Sequence, residues 1–426
     1  MSPIHRRRAA QLATVIALFA AGSVSAGGVP AGPFFTGLGD LPGGDFESSA
    51  MDCSADGEVV VGWSKAVSGP SDFRAFRWTF DAGMTDLGDL SGEGQSIAWA
   101  ISADGSIIVG RSDACDCAFR WTAATGMVDL NMTGAPPGFT ATSALGISAD
   151  GGVIVGAGRF PHMEAYRWTA ATGVVPLGHL PTSNPDSFAS GVSADGTVIT
   201  GESMSGDMFA VEPIRWTQET GMVGLGDVPG GIFYGLGMAI SADGSTIVGD
   251  AIGPLGGFEG FRWTAETGLA VLAPELSNVA RSTAADSSFD GTYVIGSCES
   301  PIDGAYIWDP QTGMRNVQAI LESRFGIDLT GWSLLGASGI SDDARTIVGV
   351  GENPSGNREA WLARVAATVP GDIDGNAVVT LGDLAGFVAV LLGQDVDWVH
   401  VIVADMNGDG IVDGRDVGEF VDVLTS

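Results

Sequence analysis

The sequence predicts an all-β protein, a seven-bladed β-propeller whose amino-terminal strand closes the last blade, followed by a small α-helical module. Three observations carry that prediction. A Ser-x-Asp-Gly turn recurs at Ser54–Gly57, Ser102–Gly105, Ser148–Gly151, Ser193–Gly196 and Ser241–Gly244, drifts at Ser288-Phe289-Asp290-Gly291, and persists weakly as Ser341-Asp342-Asp343-Ala344. Tryptophans keep step with the turns at Trp78, Trp121, Trp168, Trp216, Trp263, Trp308 and Trp361. Two acidic stretches near the carboxy terminus stand outside this period. A repeat of roughly 40 to 50 residues is the sequence sign of propellers and solenoids.

Each unit divides into four short runs of strand character. In the fifth, Gly237–Ser241 leads into the turn, Thr246–Gly249 leaves it, Gly260–Thr264 follows a loop, and Leu269–Leu272 follows the Thr267-Gly268 turn. Asp-Gly between alternating apolar runs is a hairpin signal, and predicts a type I′ turn with positive φ at both central residues. Four antiparallel strands make a propeller blade. A right-handed parallel β-helix is the competing architecture, but its coils are shorter and need fewer hairpin turns.

The ends of the array predict ring closure. Gly37-Leu38-Gly39-Asp40-Leu41 matches the strand endings Leu87-Gly88-Asp89-Leu90, Leu177-Gly178-His179-Leu180 and Leu225-Gly226-Asp227-Val228. The last unit stops at Trp361-Leu362-Ala363-Arg364-Val365 with no such strand after it. The amino-terminal strand is therefore expected to complete blade seven.

The first 26 residues read as a secretory signal peptide, with Arg6-Arg7-Arg8, an apolar stretch from Leu12 to Ala21, and Val24-Ser25-Ala26 before the cleavage point near Ala26. The apolar stretch is too short to span a bilayer, so no membrane insertion is expected. This divides the chain into a signal peptide (1–26), the repeat propeller (27–365), a linker (366–370) and a carboxy-terminal module (371–426), and predicts a secreted or cell-surface-associated protein. The formal charge of −32, about −35 after cleavage, argues against nucleic acid and anionic lipid as partners. Cys53, Cys115, Cys117 and Cys298 form an even set in an exported chain, with three connectivities open. On a strand, Cys115 and Cys117 would share a face at an awkward separation for bonding each other.

The recurring residues have structural readings. Asp in the turns forms the turn itself. One Trp per unit packs between neighbouring sheets, which leaves Trp63, Trp99 and Trp332, outside the repeat, as candidates for stacking on a ligand. Arg77, Arg120, Arg167, Arg215 and Arg262 alternate with the tryptophans and are expected to pair with acids. The recurrence of Ser241-Ala242-Asp243-Gly244, Ile247-Val248-Gly249, Phe261-Arg262-Trp263-Thr264 and Thr125-Gly126-Met127 closely resembles the extracellular HAF repeat family over about residues 35 to 365. That resemblance implies a secreted repeat of undefined role. Units six and seven depart from it, with Ile307 and Ala360 in place of Arg, and are expected to be irregular.

The acidic stretches carry the most defined chemistry. Asp372, Asp374, Asn376, Thr380 and Asp383 occupy positions 1, 3, 5, 9 and 12 of one twelve-residue loop, with Val378 offering a backbone carbonyl at position 7. Asp405, Asn407, Asp409, Asp413 and Asp416, with Ile411, repeat the pattern. Oxygen donors at this spacing are those of a calcium loop, so two Ca2+ ions are expected. A helix should follow each loop, with Leu384, Phe387, Val388, Leu391 and Leu392 on one face, and Val417, Phe420, Val421 and Leu424 on one face of the other. These loop-helix pairs resemble a type I dockerin, which implies a cohesin-like or cell-surface protein partner bound through the helices. Loop positions 10 and 11, Leu381-Gly382 and Gly414-Arg415, depart from the small hydroxyl residues frequent there, and Ala377 stands at position 6 of the first loop.

The function expected from these features is a secreted non-enzymatic repeat protein that presents a binding surface to a polysaccharide or protein ligand and is tethered by its calcium-dependent module. Two alternatives stand beside it: a carbohydrate-active enzyme, hydrolase or lyase, on the propeller, and a structural surface or matrix protein. The enzyme reading finds little support in residues, since after cleavage only His162, His179 and His400 remain and no Gly-x-Ser-x-Gly motif is present.

Overall fold

The computed structural model describes residues 32–425 except 67–72, 93, 114, 160, 183–184, 207–209, 274–280, 301, 366–369, 374–378, 396–397 and 407–411. The expected signal peptide (1–26) and residues 366–369 of the expected linker lie outside the described residues. Those described form seven four-stranded antiparallel sheets, six of them made of four strands consecutive in sequence. Blade one comprises Ser48–Cys53, Val59–Lys65, Phe73–Thr79 and Gly83–Asp86. The innermost strands of blades two to seven are Ser96–Ile101, Thr140–Ile147, Ser187–Val192, Gly235–Ile240, Ser282–Ser287 and Ser333–Ile340. Blade seven is completed by Phe34–Gly37, which pairs antiparallel with Arg358–Arg364 in the register Phe34↔Arg364 to Gly37↔Trp361. The ring closes as its ends predict.

The turns are not type I′. Gly57 donates to the Ser54 carbonyl at 2.8 Å, the Ser54 hydroxyl donates to Asp56 Oδ1 at 2.6 Å, and the Val59 N–H donates back to Ser54 Oγ at 3.0 Å. Only the glycine takes positive φ, 68° at Gly57, while Asp56 stays in the ordinary region. Serine and aspartate together build a wider turn by side-chain bonds to the backbone, which removes the need for a second left-handed residue. In blade seven Ala344 holds the glycine place at φ 56°.

The Val-Gly of the repeat has an equally local cause. Every inner strand skips a residue in its pairing at the same place, at Met51, Trp99, Leu145, Ser190, Met238, Ala285 and Ser338, and blades three and seven skip a second, at Thr142 and Leu335. Opposite each bulge the second strand carries glycine; a Cβ on Gly62, Gly110 or Gly156 would stand 2.1, 2.0 and 2.0 Å from an inner-strand carbonyl oxygen. The glycine lets the bulge form, and the bulge turns an extra side chain toward the axis.

Blades are joined by polar contacts as well as apolar ones. A circuit of backbone hydrogen bonds runs around the ring through the residue after each turn serine, Ala55→Ala103, Ala103→Ala149, Ala149→Ala194, Ala194→Ala242, Phe289→Asp342 and Asp342→Ala55, with the Asp243 N–H of the Ala242–Asp243 peptide donating to Phe289 in blade five. Buried serines at the head of inner strands accept from the preceding blade, as Ser48 Oγ does from Ala360 N and Ser96 Oγ from Ala75 N, both at 3.0 Å. Such paired groups cost little to bury.

Register corrects the alignment of the last unit. Six repeat tryptophans share one position, but Trp361 pairs with Gly349 as Phe261 pairs with Gly249, so it holds the Phe place. It is 0% exposed, the largest fully buried side chain. Leu362, not Ala360, replaces the repeat arginine. Blades six and seven keep the four-stranded order, against expectation, and in blade seven Arg364 supplies the missing contacts from two residues further on. Its Nε reaches Thr346 Oγ1 and its Nη2 the Asp56 carbonyl, matching Arg262, which donates to Thr246 Oγ1 and the Gly291 carbonyl. Arg262 thus serves a turn oxygen of the next blade, Arg120 Nε is buried without a partner, and no repeat arginine forms an ion pair within 4.0 Å among the described residues.

Helix α1 (Val317–Phe325) follows blade six, capped by Asn316 and ended at Gly326, φ 64°. Helices α2 (Leu384–Leu391), α3 (Trp398–Ala404) and α4 (Asp416–Thr425) form the carboxy-terminal module. Phe387 of α2 stacks on Phe420 of α4 with ring centroids 4.0 Å apart, and Arg345 on the blade-seven turn donates to the Ile402 carbonyl of α3. No helix among the described residues is long and apolar enough to cross a membrane. Cys115 and Cys117 are bonded to each other, 5.2 Å apart at Cα. They flank Asp116 at φ 52° rather than sharing an extended strand, and that turn brings the sulfurs together. Cys53 and Cys298 are buried thiols.

Candidate functional site

Two sites emerge, the acidic loops of the module and a cavity on the propeller axis. In the first loop Asp372 and Asp383 are each 1% exposed, and in the second Asp416 is 0% exposed. Asp383 Oδ2 accepts from Thr380 N at 2.8 Å; Asp416 accepts from Met406 N at 2.9 Å and Asp413 N at 2.7 Å. The loop thus folds back on its last carboxylate, tying positions 9 and 12 together in both copies. Asp413 lies beneath Arg415, whose side-chain and backbone hydrogen bonds hold its carboxyl below the usual carboxylate range. Asp405 ends helix α3. Asp374, Asn376, Val378, Asn407, Asp409 and Ile411 lie outside the described residues. The donors described are all oxygen, three of them buried carboxylates, a set that fits a hard divalent cation.

The helices that follow expose an unexpected face. Phe387 and Val390 of α2 and Phe420 of α4 are buried, whereas Leu384, Val388 and Leu392, and Val417 and Val421, face solvent. The apolar positions that sequence spacing assigned to one face of each helix therefore split, the aromatic pair turning inward and the aliphatic row outward. Leu381, at loop position 10, is 77% exposed beside them.

The axial cavity, of about 420 Å³, is lined by all seven inner strands. One tier comprises the bulged residues, including Met51, Trp99, Leu145 and Met238. The next tier is small, with Ala100, Gly146, Gly191, Ala239 and Gly339, except that blades one and six carry Asp52 and Asp286 there. Asp342 joins them from the blade-seven turn. Asp52 bridges blades by accepting from Cys53 N at 2.7 Å and Ile101 N at 3.0 Å; Asp286 accepts from Ser287 N at 2.8 Å and Ile340 N at 3.0 Å. What surface they expose faces the cavity, deep within the ring. Burial there pushes Asp52 up to about 7, with Asp342 adding to it, and pushes Asp342 to about 6, reinforced by Asp343. Burial and the neighbouring Asp52 hold Asp286 well above the carboxylate range.

Sequence reading passed over these acids because the turn motif two residues on dominates the pattern. The signal was two aspartates in a column otherwise made of Ala and Gly. Of the three tryptophans expected to be available, Trp99 lines the cavity, while Trp63 packs edge-on to Phe73 and Trp332 to Phe35.

The sequence matches no known protein family and no curated protein. Among solved structures, TolB from Acinetobacter baumannii is 15% identical over 61% of this chain, with a TM-score of 0.42, and this chain spans 63% of that one. The β-propeller domain of the Trilobed protease from Pyrococcus furiosus is 11% identical over 74% of this chain and 93% of that chain, also at 0.42. Hydrazine synthase from Kuenenia stuttgartiensis is 14% identical over 75% and 96%, at 0.42. The assignment of this chain to the seven-bladed β-propellers rests on its own strand order and register.

Proposed function

We propose that this chain is an exported, non-enzymatic binding protein of HAF-repeat type. Its propeller presents a ligand surface, and its carboxy-terminal module, dockerin-like and loaded with two Ca2+ ions, tethers it to a cohesin-like or cell-surface protein. The observation that carries the tether is the pairing, in one small module, of buried carboxylates at position 12 of both loops and position 1 of the first with solvent-facing aliphatic rows on α2 and α4. Exposed contiguous apolar surface marks interaction sites in soluble proteins. Asp372, Asp383, Asp405, Asp413 and Asp416, with Thr380, would hold the ions together with the loop residues between them. Bound calcium would offset the repulsion among the acids and fix the angle at which each helix leaves its loop.

A panel of immobilised cohesin modules, probed with the full chain in calcium and again in chelator, tests this. Calcium-dependent capture that Leu384→Asp with Val388→Asp abolishes, at unchanged calcium binding, is the expected result. Capture by no cohesin, or capture indifferent to both helices, would remove the docking reading.

A further inference from the structure

The axial cavity combines features that the repeat alone does not require. A propeller built from this repeat needs a small residue at the inner tier, as five blades have, yet Asp52 and Asp286 stand there with Asp342 alongside. Asp342 has no side-chain hydrogen bond among the described residues, although it is largely removed from solvent. Ser287 lines the same cavity next to Asp286, is 8% exposed, and its Oγ is buried without a hydrogen-bond partner. Among the described residues no lysine, arginine or histidine lines the cavity to neutralise the acids. The Asp52 and Asp286 carboxylates accept from backbone N–H groups, and among the described residues no cation of the chain faces the three acids.

The rest of the lining narrows the ligand. The acids do not bring three ligand atoms within 4.8 Å of one another, so a single metal ion would lack a compact carboxylate cage. Around the rest of the ring, on blades two, three and five, lie Trp99, Leu145 and Met238, and Met51 stands beside Asp52, so the remaining lining is apolar and partly aromatic. A volume of about 420 Å³ suits a small organic molecule and exceeds the needs of an ion. Trp faces attract cations, and methionine adapts to irregular apolar bodies. An ammonium group carries three donors and no acceptor, complementary to carboxylates and an unpaired hydroxyl. The net charge of −32 favours the approach of cations over anions.

From this geometry we infer that the propeller axis is a binding site for a small organic amine, its ammonium hydrogen-bonded to Asp342 in the field of Asp52 and Asp286 and beside Ser287, and its apolar body against Trp99, Met51 and Met238. The inference deepens the binding-surface reading by naming the place and the ligand class. It does not depend on the calcium tether.

The test uses the full chain in chelator at pH 8, with phenethylamine titrated against intrinsic tryptophan fluorescence and calorimetry, and 2-phenylethanol as the uncharged isostere. Saturable amine binding is expected, with the alcohol at least about tenfold weaker. Asp342→Asn, which breaks no bond in the fold, should weaken the amine about tenfold and leave the alcohol unchanged, while Ser287→Ala gives a smaller loss. Binding should also weaken from pH 8 to pH 5, as Asp52, Asp342 and Asp286 take up protons with Asp343 and Cys53 the other titratable groups around them; an amine of this kind stays protonated throughout, at a pKa of about 10. Equal affinity for amine and alcohol, no saturable binding of either, or an unaffected Asp342→Asn would each overturn the inference. So would displacement of the amine by Ca2+ in an Asp383→Ala, Asp416→Ala background, which would make the cavity a metal site. Because the titration runs without calcium, its failure leaves the tether untouched, and failure of the tether leaves this result standing.

Discussion

Substituting Gly156 by alanine tests whether the bulge opposite the second-strand glycine determines the inner ring. An added Cβ would lie 2.0 Å from Ser143 O, 2.9 Å from Ser143 C and 3.0 Å from Ala144 Cα, all backbone atoms of the adjoining strand. No side chain can rotate to relieve the clash, so the two strands must part by about 1 Å where Ala144 pairs with Gly156. Overpacking of this kind costs about 1–3 kcal/mol, and losing one or two ladder hydrogen bonds adds about 1 kcal/mol each. The expected loss is therefore about 3–5 kcal/mol. Gly221 is the control: its φ is 65° but nothing lies within 4 Å, so alanine there costs only left-handed strain, about 1–2 kcal/mol. Gly418, inside α4 with nothing within 4 Å, should tolerate alanine with a gain of about 1 kcal/mol. Denaturant midpoints at constant slope report all three. A Gly156→Ala protein as stable as Gly221→Ala would refute the reasoning.

The remaining predictions concern buried polar groups. Trp361 buries its indole with Nε1 lacking a partner, so Trp361→Phe should fall within about 1 kcal/mol of wild type, whereas Trp361→Ala should lose about 3–5 kcal/mol; equal losses on a melting curve would contradict this. Burial raises Asp250 to about 7 against its hydrogen bond from Ala284 N, and raises Asp52 and Asp342 to about 7 and 6. Each folded-state value lies above the unfolded one, so the folded chain holds these protons more tightly, and stability is full below about pH 4 and lost as pH rises through 6 to 7. The turn acids Asp104, Asp150 and Asp195 are lowered by serine, threonine and backbone hydrogen bonds, and act oppositely below the ordinary aspartate value of 3.8. Thermal midpoints should therefore peak near pH 5 and fall toward pH 8, and Asp250→Asn should flatten the fall; a midpoint rising steadily from pH 5 to 8 would contradict the assignment.

Much of the ring was legible because its cause is local and repeated. Ser54, Asp56 and Gly57 build a turn from their own side chains, and Gly37–Leu41 shows by likeness to Leu87–Leu90 that a strand is missing at the other end. The bulges were not legible, since period-two alternation assigns Met51 and Asp52 to opposite faces, while in the ring both line the axis. That single skipped residue hid the acids of the cavity. The register of Trp361 was misread because an aromatic two places early satisfies the same motif as Trp263. In the module, spacing identified the helices but not their outward faces, because Leu384 and Phe387 are equally apolar and only packing separates them.

The central claim, that the carboxy-terminal loops are calcium sites, is tested most directly by titrating Ca2+ into the full chain by calorimetry beside the Asp383→Ala, Asp416→Ala double variant. Two sites in the wild type, both lost in the variant, with helical signal gained on binding, is the result the account predicts. No binding by the wild type, or binding that the variant retains, would contradict it.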